Sequence, residues 1–275
     1  MPTSALALAL AAACIHAFWN VLLARAKDIE AATAVAVLVA EVVFLPVAVV
    51  LWHAHRAVIP FIVASAALQL LYFTLLPLAY RLAELSVVYP IARGTAPVLV
   101  LVVGVVALGH STSVGQVAGV CLVGGGVLLV RGLGRGRGAG QGVPLGLLIA
   151  CVIAAYTLVD KDGVAHAGAV PYLELTMIGP ALVYTGAVVR VKGARALRNA
   201  WGPATFVAGI ATFGAYALVL LALQRAAAAP VAAVRETSVV IAALLARRVL
   251  KETVGATRIA GAASVAAGIA LLSLT

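Results

Sequence analysis

Tyr89-Pro90-Ile91-Ala92-Arg93-Gly94-Thr95-Ala96-Pro97 runs directly into the apolar stretch 98–108, so a guanidinium stands inside a segment suited to lipid. Arginine at the centre of a membrane helix costs about 2.5–3.5 kcal/mol, which is tolerated where the side chain faces a bundle interior or a wet cavity. The arrangement recurs at Val234-Arg235-Glu236-Thr237-Ser238, which opens the apolar run 239–246. A charge buried twice implies a polar interior, and the remainder of the chain reads as the scaffold around it.

Of the 275 residues, 64% are hydrophobic and 10% charged, with a mean hydropathy of +1.16. So few charges cannot cover the surface of a water-soluble domain. The expected class is therefore an all-α integral membrane protein. Apolar windows of about 20 residues place spans at 4–24, 31–52, 58–80, 86–108, 114–130, 143–160, 170–189, 202–223, 229–246 and 255–274. Ten transmembrane helices leave short connections and no soluble domain, so any chemistry belongs inside the bundle. No Lys or Arg precedes the first span, which reads as a retained helix rather than a cleaved signal.

The net charge of +10 would suggest a nucleic-acid partner in a soluble protein. Here the basic residues fall in connections between spans, so the partner is the bilayer, with no nucleic acid. Connections after the odd-numbered spans hold thirteen of them: Arg25, Lys27, Arg81, Arg131, Arg135, Arg137, Arg190, Lys192, Arg195, Arg198, Arg247, Arg248 and Lys251. The even-numbered connections hold three, Arg56, Lys161 and Arg225. The positive-inside rule would put the odd connections in the cytoplasm and both termini outside. Cys14, Cys121 and Cys151 lie in apolar runs without metal-ligand spacing, so neither a disulfide nor a metal site is expected. His53-Ala-His55 lacks a third ligand nearby, and no cofactor motif appears; the glycines of 131–142 have no preceding strand and no Gly-Lys-Ser/Thr. That stretch reads as a flexible basic linker between domains 1–130 and 143–275.

Within the spans, the polar residues set the candidate site. His16, Trp19 and Asn20 stack on one helix face, either as interhelical contacts or as cavity lining. Glu41 lies mid-span with Pro46 after it, and a lone intramembrane carboxyl seeks a cation; Arg93 is the expected partner. Gln69, Tyr72 and Thr74 precede Pro77, while Ser86, Tyr89 and Arg93 share a face of the fourth span, kinked by Pro90 and Pro97. In the second half, Tyr156 and Thr157 roughly match Trp19 and Asn20, and Asp160-Lys161-Asp162 reads as a solvated helix end. Glu174 stands before Pro180 as Glu41 stands before Pro46, either snorkelling or lining a cavity. The ninth span holds Arg235 beside Glu236, which point about 100° apart and so cannot face each other.

An internal repeat organises these positions. A shift of 142 pairs Arg93 with Arg235, Thr95 with Thr237, Gly119 with Gly261 and Gly126 with Gly268; a shift of 144 pairs Tyr72 with Tyr216 and Arg81 with Arg225. Two halves of five helices each must lie inverted in the membrane. Inverted repeats place a binding site near the midplane between them.

With HAFWN at 16–20, YPIARGTAP at 89–97, VRETSVV at 234–240, and the glycine-containing Gly115-Gln-Val-Ala-Gly and Thr257-Arg-Ile-Ala-Gly, the whole chain resembles the drug/metabolite transporter superfamily of the EamA type. The resemblance implies ten helices with both termini in the cytoplasm, opposite to the charge bias. Relatives commonly carry an acid after the fourth and ninth helices; Glu252 fits the second, whereas His110 occupies the first position and takes no role from it. The resemblance implies a multi-pass secondary transporter in the cell's inner (plasma) membrane, monomeric or homodimeric, working by alternating access on a small-molecule substrate.

Two arginines favour a substrate with a carboxylate or phosphate, and Trp19, Tyr89 and Tyr156 suit an apolar or cationic portion. The candidate substrate-binding set is Arg93, Arg235, Trp19, Asn20, Tyr89, Tyr72, Tyr156 and Tyr216, with Glu41, Glu174 and Glu236 as coupling or ion-pair residues. A lipid or polyprenyl-phosphate flippase is the alternative. An intramembrane enzyme lacks any paired-Asp, His-Glu-x-x-His or Gly-x-Ser-x-Gly constellation.

Overall fold

The computed structural model describes residues 1–24, 26–83, 85–131, 139–241 and 256–274, and among these the chain is helical with no strand. In order, the helices are α1 (Thr3–Ala24), α2 (Ile29–Val50), α3 (Ile59–Leu82), α4 (Leu85–Val106), α5 (Val114–Arg131) and α6 (Ala139–Gly163). There follow α7 (Ala169–Lys192), the short α8 (Ala194–Ala200), α9 (Pro203–Leu223), α10 (Ala228–Arg235) and α11 (Ala256–Leu274). Seven are long and apolar enough to cross a membrane, and α5 and α11 carry shorter apolar segments, 114–129 and 259–274. The expected ninth span corresponds to α10 and helical residues 237–241; its remainder, with Glu252, lies outside the described residues.

Local chemistry accounts for the helix ends. Asp28 caps α2, its Oδ1 accepting the Ala31 amide at 3.1 Å, and Glu30 in the first turn complements the helix dipole. Pro203 opens α9, where its missing N–H removes no helical bond. Gly193, at φ +79°, makes the turn from α7 into α8, a short helix within the connection between the expected spans 170–189 and 202–223. Of the expected basic linker 131–142, Arg131 ends α5 and residues 139–142 open α6, while 132–138 lie outside the described residues.

Where α5 packs against α11, glycines bring the two backbones together. A Cβ on Gly126 would meet the Gly261 carbonyl oxygen and Val265 Cγ2 at 2.7 Å each. A Cβ on Gly268 would meet the Gly119 carbonyl oxygen at 2.7 Å and Val123 Cγ2 at 2.8 Å. Each contact converts into the other by exchanging positions 142 apart. Ser264 Oγ donates to the Leu122 carbonyl at 2.8 Å, a bond between two positions that are themselves 142 apart. Small-residue contacts of this kind are how helices associate where lipid offers no hydrophobic driving force.

Helix α2 packs on α7 and α9, whereas α4 packs on α6, α5 and α10. Apolar side chains such as Val42, Val63, Val102 and Leu182 point outward, as a lipid-facing surface requires.

Candidate functional site

One set of buried polar groups collects where α1, α4 and α10 meet. Arg93, near the middle of α4, is 7% exposed, and its Nη1 lies 3.1 Å from Glu236 Oε1 in a nearly dry ion pair. Its Nη2 reaches His16 Nε2 at 2.9 Å, so the imidazole of α1 contributes a lone pair to the guanidinium. The Tyr89 ring lies beside it, 5.7 Å from centroid to Cζ, in range of a cation–π contact. Trp19 packs edge-on against His16 at 4.8 Å, and its Nε1 is buried without a partner. Asn20 turns back to its own helix, donating to the His16 carbonyl at 2.8 Å, and so steadies the turn that carries His16.

Arg235 enters the same cluster from the opposite half of the chain. α10 ends at Arg235 and Glu236 is a turn residue, closed by Glu236 N–H to Ala233 O and Val239 N–H to Glu236 O, both 3.0 Å. This break overturns the expectation that the two side chains diverge. Without a continuous helix they turn together, and Arg235 Nη2 comes within 3.5 Å of Glu236 Oε1. At that length and angle no hydrogen bond forms: Arg235 Nε and Nη2 remain buried without acceptors, and Glu236 Oε2 without a donor. Nε and Nη2 are the side-on edge of a guanidinium, the pair of donors that matches two carboxylate oxygens.

Three tyrosines form the neighbouring wall. Tyr156 lies 6.3 Å from Tyr72 and 6.2 Å from Tyr216 between ring centroids, both edge-to-face, so α3, α6 and α9 each supply one ring. Arg93 is electrostatically close to Tyr72 and Tyr156, and Arg235 to Tyr156 and Tyr216. The repeat-related pairs Arg93/Arg235 and Tyr72/Tyr216 therefore converge in one region.

Two expectations are corrected here, for Glu41 and Asp160, and the open choice for Glu174 is decided. Glu41 does not pair with Arg93, because α2 packs away from α4; its carboxyl instead meets that of Glu174 on α7. Glu174 is buried rather than snorkelling, at 4% exposure. Asp160, expected at a solvated helix end, is fully buried: Tyr172 donates to Oδ1 at 2.8 Å and Tyr216 to Oδ2. Asp160 is the buried polar residue beside the tyrosine wall that sequence reasoning missed. Its flanking Lys161 and Asp162 suggested a wet end, and only the later tyrosines, 12 and 56 residues on, reveal its inward face. Among the described residues no group of three or more His, Cys, Asp or Glu is placed to hold a metal ion.

The fold is that of a helical membrane protein with a buried, partly unsatisfied charge cluster between residues far apart in the chain. Residues 140–274, α6 through α11, match the EamA-like transporter family, which belongs to the drug/metabolite transporter superfamily. No curated protein matches the chain. A solved crystal structure, described only as that of a protein, is similar to the chain with a TM-score of 0.77 at 15% identity. That likeness covers 100% of this chain and 99% of the other, and at such identity it speaks for the fold alone.

Proposed function

We propose that the chain is a ten-helix secondary transporter of a small amphoteric metabolite, built as two inverted five-helix repeats and operating in the cell's inner membrane. The observation that carries this reading is the open side-on edge of Arg235 beside the open Oε2 of Glu236, both buried. Leaving two guanidinium donors and a carboxylate oxygen unpaired costs about 1–3 kcal/mol per group, more when charged. A ligand that presents a carboxylate to Arg235 and a cationic or donating group to Glu236 removes that cost. Arg93 is already neutralised by Glu236, so the arginine with capacity for an anion is Arg235. Tyr72, Tyr156 and Tyr216 form the wall for the remainder of the molecule, and Trp19 Nε1 offers one further donor.

The reciprocal glycine contacts of α5 and α11 support inverted repeats, since a two-fold exchange of the halves requires each contact to have its partner 142 residues away. Alternating access then follows as rocking of one half against the other around the central cluster. The test is counterflow in proteoliposomes. Vesicles preloaded with an unlabelled mixture of α-amino acids should accumulate labelled members of that mixture. Accumulation of simple cations alone would refute the amphoteric substrate.

A further inference from the structure

Helices α2 and α7 are antiparallel and tied at both ends. At one end Lys192 Nζ lies 2.7 Å from Asp28 Oδ1 and 2.8 Å from Glu30 Oε2. At the other, Ala54 and Ala167 form an isolated bridge, with His55 N–H donating to His166 O at 2.9 Å and Gly168 N–H to His53 O at 2.7 Å. Between these ties Glu41 and Glu174 meet side chain to side chain, 8% and 4% exposed. Each keeps one buried oxygen, Oε2, with no donor. Pro46 and Pro180 withhold the amides that would have bonded the carbonyls of Val42 and Thr176, so the surroundings add acceptors rather than donors.

The charged and titratable groups on the neighbouring helices are engaged elsewhere. His16 of α1 contacts Arg93, and Arg81 of α3 lies 3.5 Å from Glu30. Tyr72 of α3 packs on Tyr156, while Tyr172 of α7 and Tyr216 of α9 both donate to Asp160 of α6. On α7, Tyr184 and Lys192 belong to the Asp28–Glu30 end and Arg190 is exposed, as are Arg195 and Arg198 of α8. Among the described residues, no Lys, Arg or His makes an ion pair with Glu41 or Glu174.

Carboxylates only accept, so two carboxyl groups bond to one another only when one carries a proton. We propose that Glu41 and Glu174 together form a single proton-binding site, apart from the arginine cluster, whose loading closes α2 onto α7 and whose unloading accompanies opening of the transporter. The coupling half of this inference rests on the transporter reading. The proton sits on one Oε, shared with the facing carboxyl; when it leaves to water, two like charges face each other in an apolar interface. That arrangement is relieved only by separation or by entry of water, so proton loss and close packing exclude one another.

The test has two arms. The first is unfolding of the purified protein in detergent as a function of pH. A proton held when folded and released on unfolding makes stability fall as pH rises above the unfolded carboxyl range of about 4.3, by up to about tenfold in the unfolding constant per pH unit. The Glu41→Gln/Glu174→Gln double variant, whose amides bond without a proton, should lose that component of the slope while remaining folded. Either single glutamine variant should lose it too, because the amide donates to the remaining carboxylate. An unchanged slope in the double variant would overturn the proton site. The second arm follows pyranine-reported proton flux in proteoliposomes given an α-amino-acid mixture. The double variant should exchange amino acids without moving protons, and wild-type proton flux in it would overturn the coupling. A wild type that moves none of the mixture would contradict the substrate reading, with the unfolding arm still deciding the proton site.

Discussion

Arg93 and Glu236, 143 residues apart in the chain, form a buried ion pair at 3.1 Å that joins the two halves at the centre of the bundle. Because α10 breaks at Glu236, the same carboxylate also approaches Arg235, and one acid is shared unequally between two guanidinium groups. The inequality distinguishes the roles of the two arginines. Arg93 is held by Glu236, His16 and the Tyr89 ring, whereas Arg235 keeps its bidentate edge open.

Removing either member of the held pair should be severe. Arg93→Ala leaves Glu236 beside Arg235 alone, and Glu236→Gln leaves two adjacent guanidinium groups without a counter-charge. Breaking a buried pair by removing one partner costs about 3–5 kcal/mol. Thermal unfolding in detergent should show both losses, and Arg93→Lys should recover a substantial part by retaining the charge. Equal stability of Arg93→Ala and the wild type would mean that the pair contributes nothing.

The glycine contacts predict matched penalties. Gly126→Ala and Gly268→Ala each drive a methyl into a backbone carbonyl oxygen at 2.7 Å, so each should lose about 1–3 kcal/mol. Gly125→Ala, on the same helix with nothing within 4 Å, should be neutral or stabilising by about 0.5–1 kcal/mol. Unfolding of the three variants side by side checks the symmetry of the α5–α11 interface.

Asp160 predicts a division between stability and transport. Tyr172→Phe and Tyr216→Phe each remove a hydrogen bond to the same carboxyl, worth about 1.5–3 kcal/mol if that group is charged. Only Tyr216 also belongs to the ring wall, so KM for uptake should rise in Tyr216→Phe and stay unchanged in Tyr172→Phe.

The Asp28 end carries a pH signature outside the membrane. The Lys192 ammonium, and then the Ala31 amide, hold the Asp28 carboxyl below its ordinary range. Its contribution is therefore present above the unfolded value of about 3.9 and lost as pH falls through the lower folded value. Exposure limits the ion pair to about 0.2–1 kcal/mol. Asp28→Asn keeps the cap and should lose only that; Asp28→Ala should lose about 0.5–2 kcal/mol more. Unfolding at pH 7 separates the two, and the differences from wild type should shrink at pH 3.

Much of the architecture was legible because lipid imposes simple rules: long apolar windows located the helices among the described residues, whereas the 142-residue shift matched Gly119 with Gly261 and Gly126 with Gly268 without showing that the contacts run from Gly126 to Gly261 and from Gly119 to Gly268. The partners of Glu41 were not legible. Its charge called for a cation, but helix packing, which sequence periodicity does not encode, placed it against Glu174. Arg235 and Glu236 were misjudged for a local reason, since an assumed continuous helix hid the turn at Glu236 that brings them together. Asp160 was missed because its hydroxyl partners come from two later helices.

The most direct measurement compares ligand-induced thermal stabilisation of the wild type and Arg235→Lys across a library of amphoteric metabolites and their decarboxylated analogues. Lysine keeps the charge but not the side-on fork. A carboxylate-bearing ligand at about 100 times its Kd should stabilise the wild type by about 2.7 kcal/mol, its decarboxylated analogue should not, and Arg235→Lys should lose most of the response while remaining folded. Equal stabilisation of both proteins by the same compounds, or stabilisation by the decarboxylated amines instead, would contradict Arg235 as the anion-binding group.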